Sequence, residues 1–303
     1  MDLSVLKGVI PPLITPVREN EDVDEGGLRK IVNHCIEKKL HGVFIGGTMG
    51  ESLSITQEQR NKAIKIALDE AKGRVPVLGG VMDSSTRRVI ENIKRFEQMG
   101  GEFAVVSPTF YALHSCPQET IRHFEEISRN TQVNILAYNI PSCTNQNLTP
   151  AMVSEIAKID KVVGIKDSSG NFVQFLSLLN KFRGTDFKVF QGLSALAGVS
   201  ILMGADGLVL GYAPLFPEIY IDMYESSLRK DLDRLKLLAP IIERIAGINN
   251  LSAYSISSTK YAMSLLGFSD KRMVRPSEPV KPEEEVRIRR EVQAINEEYA
   301  KLG

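Results

Sequence analysis

Lys166 stands near the end of the run Val162–Ser169, VVGIKDSS, in a setting that could make it a nucleophile. Four of the five residues before Asp167 are apolar or glycine, which suits a strand buried on both faces of a parallel sheet. Burial strips hydration from an ammonium group, disfavours its charged form and lowers its pKa. A lysine that is neutral near pH 7 can attack a ketone and form a Schiff base. The same segment also allows a plainer arrangement, with the lysine head in solvent or paired with Asp167. Schiff-base chemistry needs a second group, because carbinolamine formation and dehydration both move protons. Tyr138, within Asn134–Pro141 (NILAYNIP), lies on the preceding predicted strand. If both side chains point inward, phenol and amine can meet. A lone strand tyrosine is ordinarily packing with its hydroxyl satisfied.

The elements that must position these groups alternate along the chain. Strands are predicted at Val9–Val17, His41–Gly47, Val75–Val81, Phe103–Pro108, Asn134–Pro141, Val162–Lys166, Lys188–Gly192 and Asp206–Tyr212. Helices fall between them. Asp24 is placed to cap a helix over Glu25–Lys39, and Thr56 one that runs to Ala71. Eight strand–helix alternations with short links argue for an α/β fold, a closed (β/α)₈ TIM barrel, over an open doubly wound sheet. After Tyr224 the strands stop. Helices are predicted over Ser226–Ala246, Leu251–Leu266 and Pro282–Leu302, the last with Val286, Ile288, Val292 and Ile295 toward the barrel. The expected division is a barrel domain over residues 1–224 and a C-terminal α-helical extension over 225–303.

Barrel enzymes carry their chemistry at the C-terminal ends of the strands. Thr48 after strand two and Tyr111 after strand four therefore join Tyr138 and Lys166 as candidates. The turn Gly47-Thr48-Met49-Gly50 could offer backbone N–H groups to a carboxylate. By itself it is an ordinary strand-to-helix bend, and it matches neither the GxGxxG nor the Walker pattern.

Composition narrows the function classes. The chain has 303 residues, 43% hydrophobic and 24% charged, and its 37 basic and 37 acidic residues cancel, so no global field favours nucleic acid or an anionic membrane. Cys35, Cys116 and Cys143 form no pairable framework, which suggests a reducing cytoplasm. The proline-broken start MDLSVLKGVIPPLITPV is unlike a secretory signal, and no 18-residue apolar run suggests a membrane span. His34, His41, His114 and His123 show no H-x-H or H-x-x-x-H spacing, so metal catalysis is not expected. A Cys143 nucleophile has no histidine nearby in sequence. His114, in the loop after strand four, is either a substrate contact or a solvated loop residue.

GTMGES at Gly47–Ser52, YNIPS at Tyr138–Ser142, GIKDSSG at Gly164–Gly170 and KYAMSLLG at Lys260–Gly267 together resemble the dihydrodipicolinate synthase / N-acetylneuraminate lyase family. The resemblance runs from Val9 through the helical tail. It implies a (β/α)₈ barrel that joins a lysine to pyruvate as a Schiff base without metal or organic cofactor. Lys166 would be that lysine and Tyr138 the proton shuttle. Thr48 would link Tyr138 to a second tyrosine, Tyr111, which in many members reaches in from a neighbouring subunit. A homo-oligomer, dimer or tetramer, is thereby implied. The backbone at Thr48 and Met49 would hold the pyruvate carboxylate, and Val209 would line the floor.

Departures from the synthase pattern bear on the substrate. That pattern reads YN-x-PSRTG, with an arginine for the carboxylate of the aldehyde substrate; here Cys143 takes its place. A thiol cannot make a bidentate charge-assisted contact, and losing one costs on the order of 2–5 kcal/mol if nothing replaces it. Met49 replaces the second threonine of GTTGE, and Pro108-Thr109-Phe110-Tyr111 is looser than the usual P-Y-Y. Asn145, Gln146 and Asn147 could hydrogen-bond a polyhydroxylated chain, or could simply form a turn. The expected activity is that of a class I pyruvate aldolase or lyase. It would act on a 2-keto-3-deoxy sugar acid or related 2-oxo acid, yielding pyruvate and an aldehyde. The alternatives are 4-hydroxy-tetrahydrodipicolinate synthase and a non-catalytic 2-oxo acid binder.

Overall fold

The structure, a computed structural model, describes residues 2–302. Eight parallel strands form its centre: β1 (Gly8–Val9), β2 (Val43–Ile45), β3 (Val77–Gly80), β4 (Phe103–Val106), β5 (Asn134–Asn139), β6 (Val162–Asp167), β7 (Lys188–Gln191) and β8 (Gly207–Leu208). Hydrogen-bonded neighbours follow the order β1-β8-β7-β6-β5-β4-β3-β2. Between β1 and β2 the gap is bridged by His41 N–H to Val9 O at 2.9 Å, and by Phe44 N–H to Pro11 O and Leu13 N–H to Phe44 O, both at 2.8 Å. The sheet thus curls onto itself, in the arrangement of a (β/α)₈ barrel.

Strand alternation sorts the side chains into two apolar shells. Phe103 and Val105 of β4, and Leu136 and Tyr138 of β5, pack inside the barrel with Phe44 and Phe190. Their neighbours Ala104, Val106, Ile135 and Ala137 face the surrounding helices. Both faces being buried explains why these strands read as unbroken apolar runs. Glycine is required where β2 and β3 meet. Gly46 has φ +74°, and a Cβ on Gly80 would lie 2.0 Å from the Gly46 carbonyl oxygen.

The crossover helices are α1 (Glu25–Glu37), α2 (Gln57–Ala71), α3 (Thr86–Gln98), α4 (Pro117–Arg129), the short α5 (Pro141–Thr144), α6 (Pro150–Ile156), α7 (Phe172–Phe182), α8 (Ala197–Leu202) and α9 (Pro217–Arg229). Thr56 caps α2 by accepting from Gln59 N–H. Asp24 occupies the N-cap position of α1 but makes no side-chain cap bond. The tail follows as α10 (Leu232–Gly247), α11 (Ser255–Ser264) and α12 (Pro282–Ala300).

Several boundaries differ from expectation for identifiable reasons. The predicted first strand over Val9–Val17 contracts to two ladder residues and single bridges, because Pro11, Pro12 and Pro16 have no N–H to donate. β6 continues one residue beyond Lys166, to Asp167. The predicted helix Ser226–Ala246 is two helices, separated where Lys230 adopts φ +59° and Asp231 caps α10 through Arg234 N–H. The division after residue 224 falls inside α9. In α12, Ile288, Val292 and Ile295 join the outer shell as expected, whereas Val286 is 67% exposed. Among the described residues no helix is long and apolar enough to cross a membrane.

Candidate active site

Register brings the two leading candidates together. Tyr138 and Lys166 are direct partners across β5 and β6, and both point into the barrel because each lies two residues from an inward position, Leu136 and Gly164. The Lys166 Nζ sits 4.1 Å from the centroid of the Tyr138 ring and 5.1 Å from that of Phe44. The side chain is 5% exposed and makes no hydrogen bond among the described residues. Burial pulls its pKa down from 10.5 to about 7, a nearby Cys143 opposing only weakly. Asp167 gives no relief. It points to the opposite face, where its carboxylate accepts from Ser169 N–H at 2.6 Å and Gln174 Nε2 at 3.1 Å. The pairing of lysine with the adjacent aspartate, which the sequence allowed, is therefore absent.

The Tyr138 phenol lies near the side-chain hydroxyls of Thr48 and Ser168, which favour its ionised form, but burial outweighs them and raises its pKa to about 12. It remains protonated at neutral pH, with hydroxyls on two sides through which a proton can move. Thr48 opens a 3₁₀ turn, Thr48–Gly50, in which Gly50 and Glu51 N–H groups bond back to Gly47 and Thr48. The N–H groups of Thr48 and Met49 stand at the start of that turn, where backbone donors have no partner within the turn. Lys166, Tyr138, Thr48, Met49, Cys143 and Val209 all line one cavity of about 460 Å³ at the C-terminal ends of the strands. A desolvated amine beside a phenol in one cavity is an arrangement in which imine formation with a 2-oxo acid is chemically possible.

A buried ion pair holds the turn from behind. Glu51 follows the turn with φ +50°, and its carboxylate pairs with Lys260 of α11, both side chains at most 3% exposed. Glu51 Oε1 also accepts from Val274 N–H at 2.9 Å, and Lys260 Nζ donates to Arg272 O at 2.7 Å. Removing one partner leaves a buried charge uncompensated, which typically costs 3–5 kcal/mol. Lys260→Met is expected to lower unfolding free energy by about that amount in urea titrations. A loss under about 1 kcal/mol would mean that Glu51 finds solvent or another partner.

Residues 5–295 match the family model described as the dihydrodipicolinate synthetase family. The chain belongs to that family. It is accordingly a carbon–carbon lyase. An uncharacterized DapA-like lyase of Thermococcus onnurineus is 31% identical over 282 residues, covering 89% of this chain and 92% of its own. A 4-hydroxy-tetrahydrodipicolinate synthase of Methanospirillum hungatei is 30% identical over 233 residues, covering 76% of this chain and 79% of its own. The solved dihydrodipicolinate synthase of Bacteroides thetaiotaomicron superposes with a TM-score of 0.91 at 31% identity, covering 95% of this chain and 98% of that one.

Within this family member, two expected site residues lie elsewhere. Asn145, expected to contact substrate, is the exposed residue after α5, with φ +52°, and does not line the cavity. Its neighbours are committed to structure. Gln146 Nε2 donates to Thr109 O at 2.7 Å, and Asn147 joins Asn139 and Gln174. Tyr111 is 97% exposed with φ +72° and also lies outside this chain's cavity. Its loop is braced by His114, whose Nε2 and Nδ1 each lie 2.8 Å from a threonine hydroxyl, of Thr109 and Thr120. His114 is thus a loop brace. The sequence reading missed Ser168, Tyr212, Asn249 and Tyr254, which also line the cavity. Ser168 was open to inference, two residues past Lys166 and just beyond the end of β6; the others come from beyond the motifs.

Proposed function

We propose that the chain is a class I lyase that cleaves a 2-keto-3-deoxy sugar acid, or a related 2-oxo acid with an uncharged hydroxylated tail, to pyruvate and an aldehyde. The desolvated Lys166 amine against the Tyr138 ring is the observation that carries the chemistry. Lys166 attacks the C2 ketone, and the carbinolamine loses water as Tyr138, Thr48 and Ser168 relay protons. The protonated imine accepts the electron pair released when the C3–C4 bond breaks, and the C4 hydroxyl gives up its proton as the aldehyde leaves. The resulting enamine is protonated at C3, and water returns pyruvate and free lysine. Thr48 and Met49 N–H groups would hold the carboxylate throughout.

The lining supports an uncharged aldehyde portion. Among the described residues, Lys166 is the one basic side chain bordering the cavity, no carboxylate borders it, and Cys143 and Ser142 occupy the wall where the synthase pattern has an arginine. The synthase reading is favoured instead by the printed name of the Methanospirillum hungatei relative. The two separate on substrate. The wild type is expected to release pyruvate from 2-keto-3-deoxy sugar acids and to condense pyruvate poorly with aspartate semialdehyde. Cys143→Arg is expected to raise kcat/KM for the semialdehyde roughly 10–10²-fold, the worth of one charged hydrogen bond. Efficient semialdehyde condensation by the wild type would overturn this assignment.

A homo-oligomer is part of the same proposal. Tyr111 and Leu113 form an exposed tip at 97% and 51%, near the size and chemistry needed to enter a neighbour's cavity. The unpaired Cys35, Cys116 and Cys143 support a reducing, cytoplasmic location.

A further inference from the structure

Part of the cavity wall is built by residues of the C-terminal tail, and one of them carries a donor with no partner among the described residues. Asn249 lies in the 3₁₀ turn Ile248–Asn250 that follows α10. Its Oδ1 accepts from the Tyr212 hydroxyl at 3.1 Å. Tyr212 is 2% exposed and follows β8, and burial keeps its phenol protonated and so able to donate. With Oδ1 accepting from the phenol, Nδ2 is left with no hydrogen-bond partner among the described residues. Both residues border the cavity that contains Lys166, beside Tyr254 and Ser255.

We infer that Asn249, aligned by Tyr212, is a specificity-determining residue that donates from Nδ2 to a hydroxyl oxygen of the aldehyde portion of the substrate. This rests on the lyase reading above and adds the group that reads the tail. The amide carries no charge, and the lining around it supplies no cation, so the donor suits a carbinol oxygen better than a carboxylate. Tyr212 is the positioning residue: its phenol fixes which end of the amide faces the cavity. The pair also explains why the tail helices are part of the site and not only its support. α10 and the turn after it bring a neutral donor over the open ends of the strands.

The test uses the condensation direction, with pyruvate and either D-glyceraldehyde or propanal, which have the same carbon count and differ in hydroxyls. The wild type is expected to favour glyceraldehyde in kcat/KM. Asn249→Ala is expected to reduce the glyceraldehyde-to-propanal ratio about tenfold, the scale of one neutral hydrogen bond left unmade. Tyr212→Phe, which keeps the ring and frees the amide, is expected to reduce the same ratio by a smaller factor while the fold persists. A ratio unchanged in both variants, or both aldehydes falling alike, would overturn the role of Asn249. Borohydride trapping of pyruvate on the wild type separates the two levels. An adduct with an unchanged ratio overturns the Asn249 inference alone, and no adduct overturns the lyase reading and this inference with it.

Discussion

Lys166→Ala is expected to abolish the borohydride-trapped pyruvate adduct and to lower turnover by at least about 10⁴-fold, the scale on which losing a covalent nucleophile is felt. The wild type should gain the mass of a reduced pyruvate adduct on the peptide containing Lys166. The physical basis is the position of the amine. It is 5% exposed, lies over two aromatic rings and has no carboxylate partner, so burial brings its pKa to about 7. Only the uncharged amine attacks a ketone. The rate of adduct formation should therefore rise with pH through about 7 and level off above it. A rate that climbs only above about pH 9 would mean that the lysine is solvated, near its ordinary pKa.

The same shift predicts a stability effect of definite sign. The folded lysine has a pKa near 7 and the unfolded one near 10.5, so between those values the unfolded chain binds the extra proton. Stability then rises with pH across that window. Below about 7 both states are charged and the full cost of the buried ammonium is present. The Lys166→Ala protein should accordingly remain folded, since the substitution removes that cost. An inactive variant with an intact unfolding transition separates lost chemistry from lost structure.

Tyr138→Phe is expected to lower kcat by roughly 10²–10⁴-fold, the range for removing a positioned proton-transfer group. The substitution retains the ring that packs at 4.1 Å under Nζ and meets Phe44 edge-on at a centroid distance of 6.3 Å. It removes only the hydroxyl that lies near Thr48 and Ser168. Rapid-quench trapping with borohydride should show slowed adduct formation, because dehydration of the carbinolamine loses its proton source. An unchanged trapping rate would assign the proton transfers to Thr48 and Ser168 or to water, with the phenol as packing.

Much of the site was legible because it rests on short-range rules. Period-two alternation on β5 and β6 was enough to put Tyr138 and Lys166 on inward faces of adjacent strands, and the observed register pairs them. The GTMGES turn and the helix cap at Thr56 follow from residues within a few positions of one another. Asn145 failed for a local reason: an asparagine after a short helix can satisfy a left-handed backbone as readily as a ligand. Tyr111 lies outside the cavity of its own chain because the loop after β4 turns it outward, the placement expected of a side chain that reaches toward a neighbouring subunit.

The amino-acid sequence by itself determined the barrel alternation, the family, and the lysine and tyrosine that face each other across β5 and β6. Each depends on periodicity or on contiguous motifs, whose physics acts over a few residues. Only the tertiary structure decided that Lys260 grips Glu51 and that Tyr212 presents Asn249 to the cavity. Those contacts join positions far apart in the chain. They exist because barrel closure and the docking of the tail helices bring their elements together, and no local pattern encodes which distant side chain a polar group will meet once it leaves water.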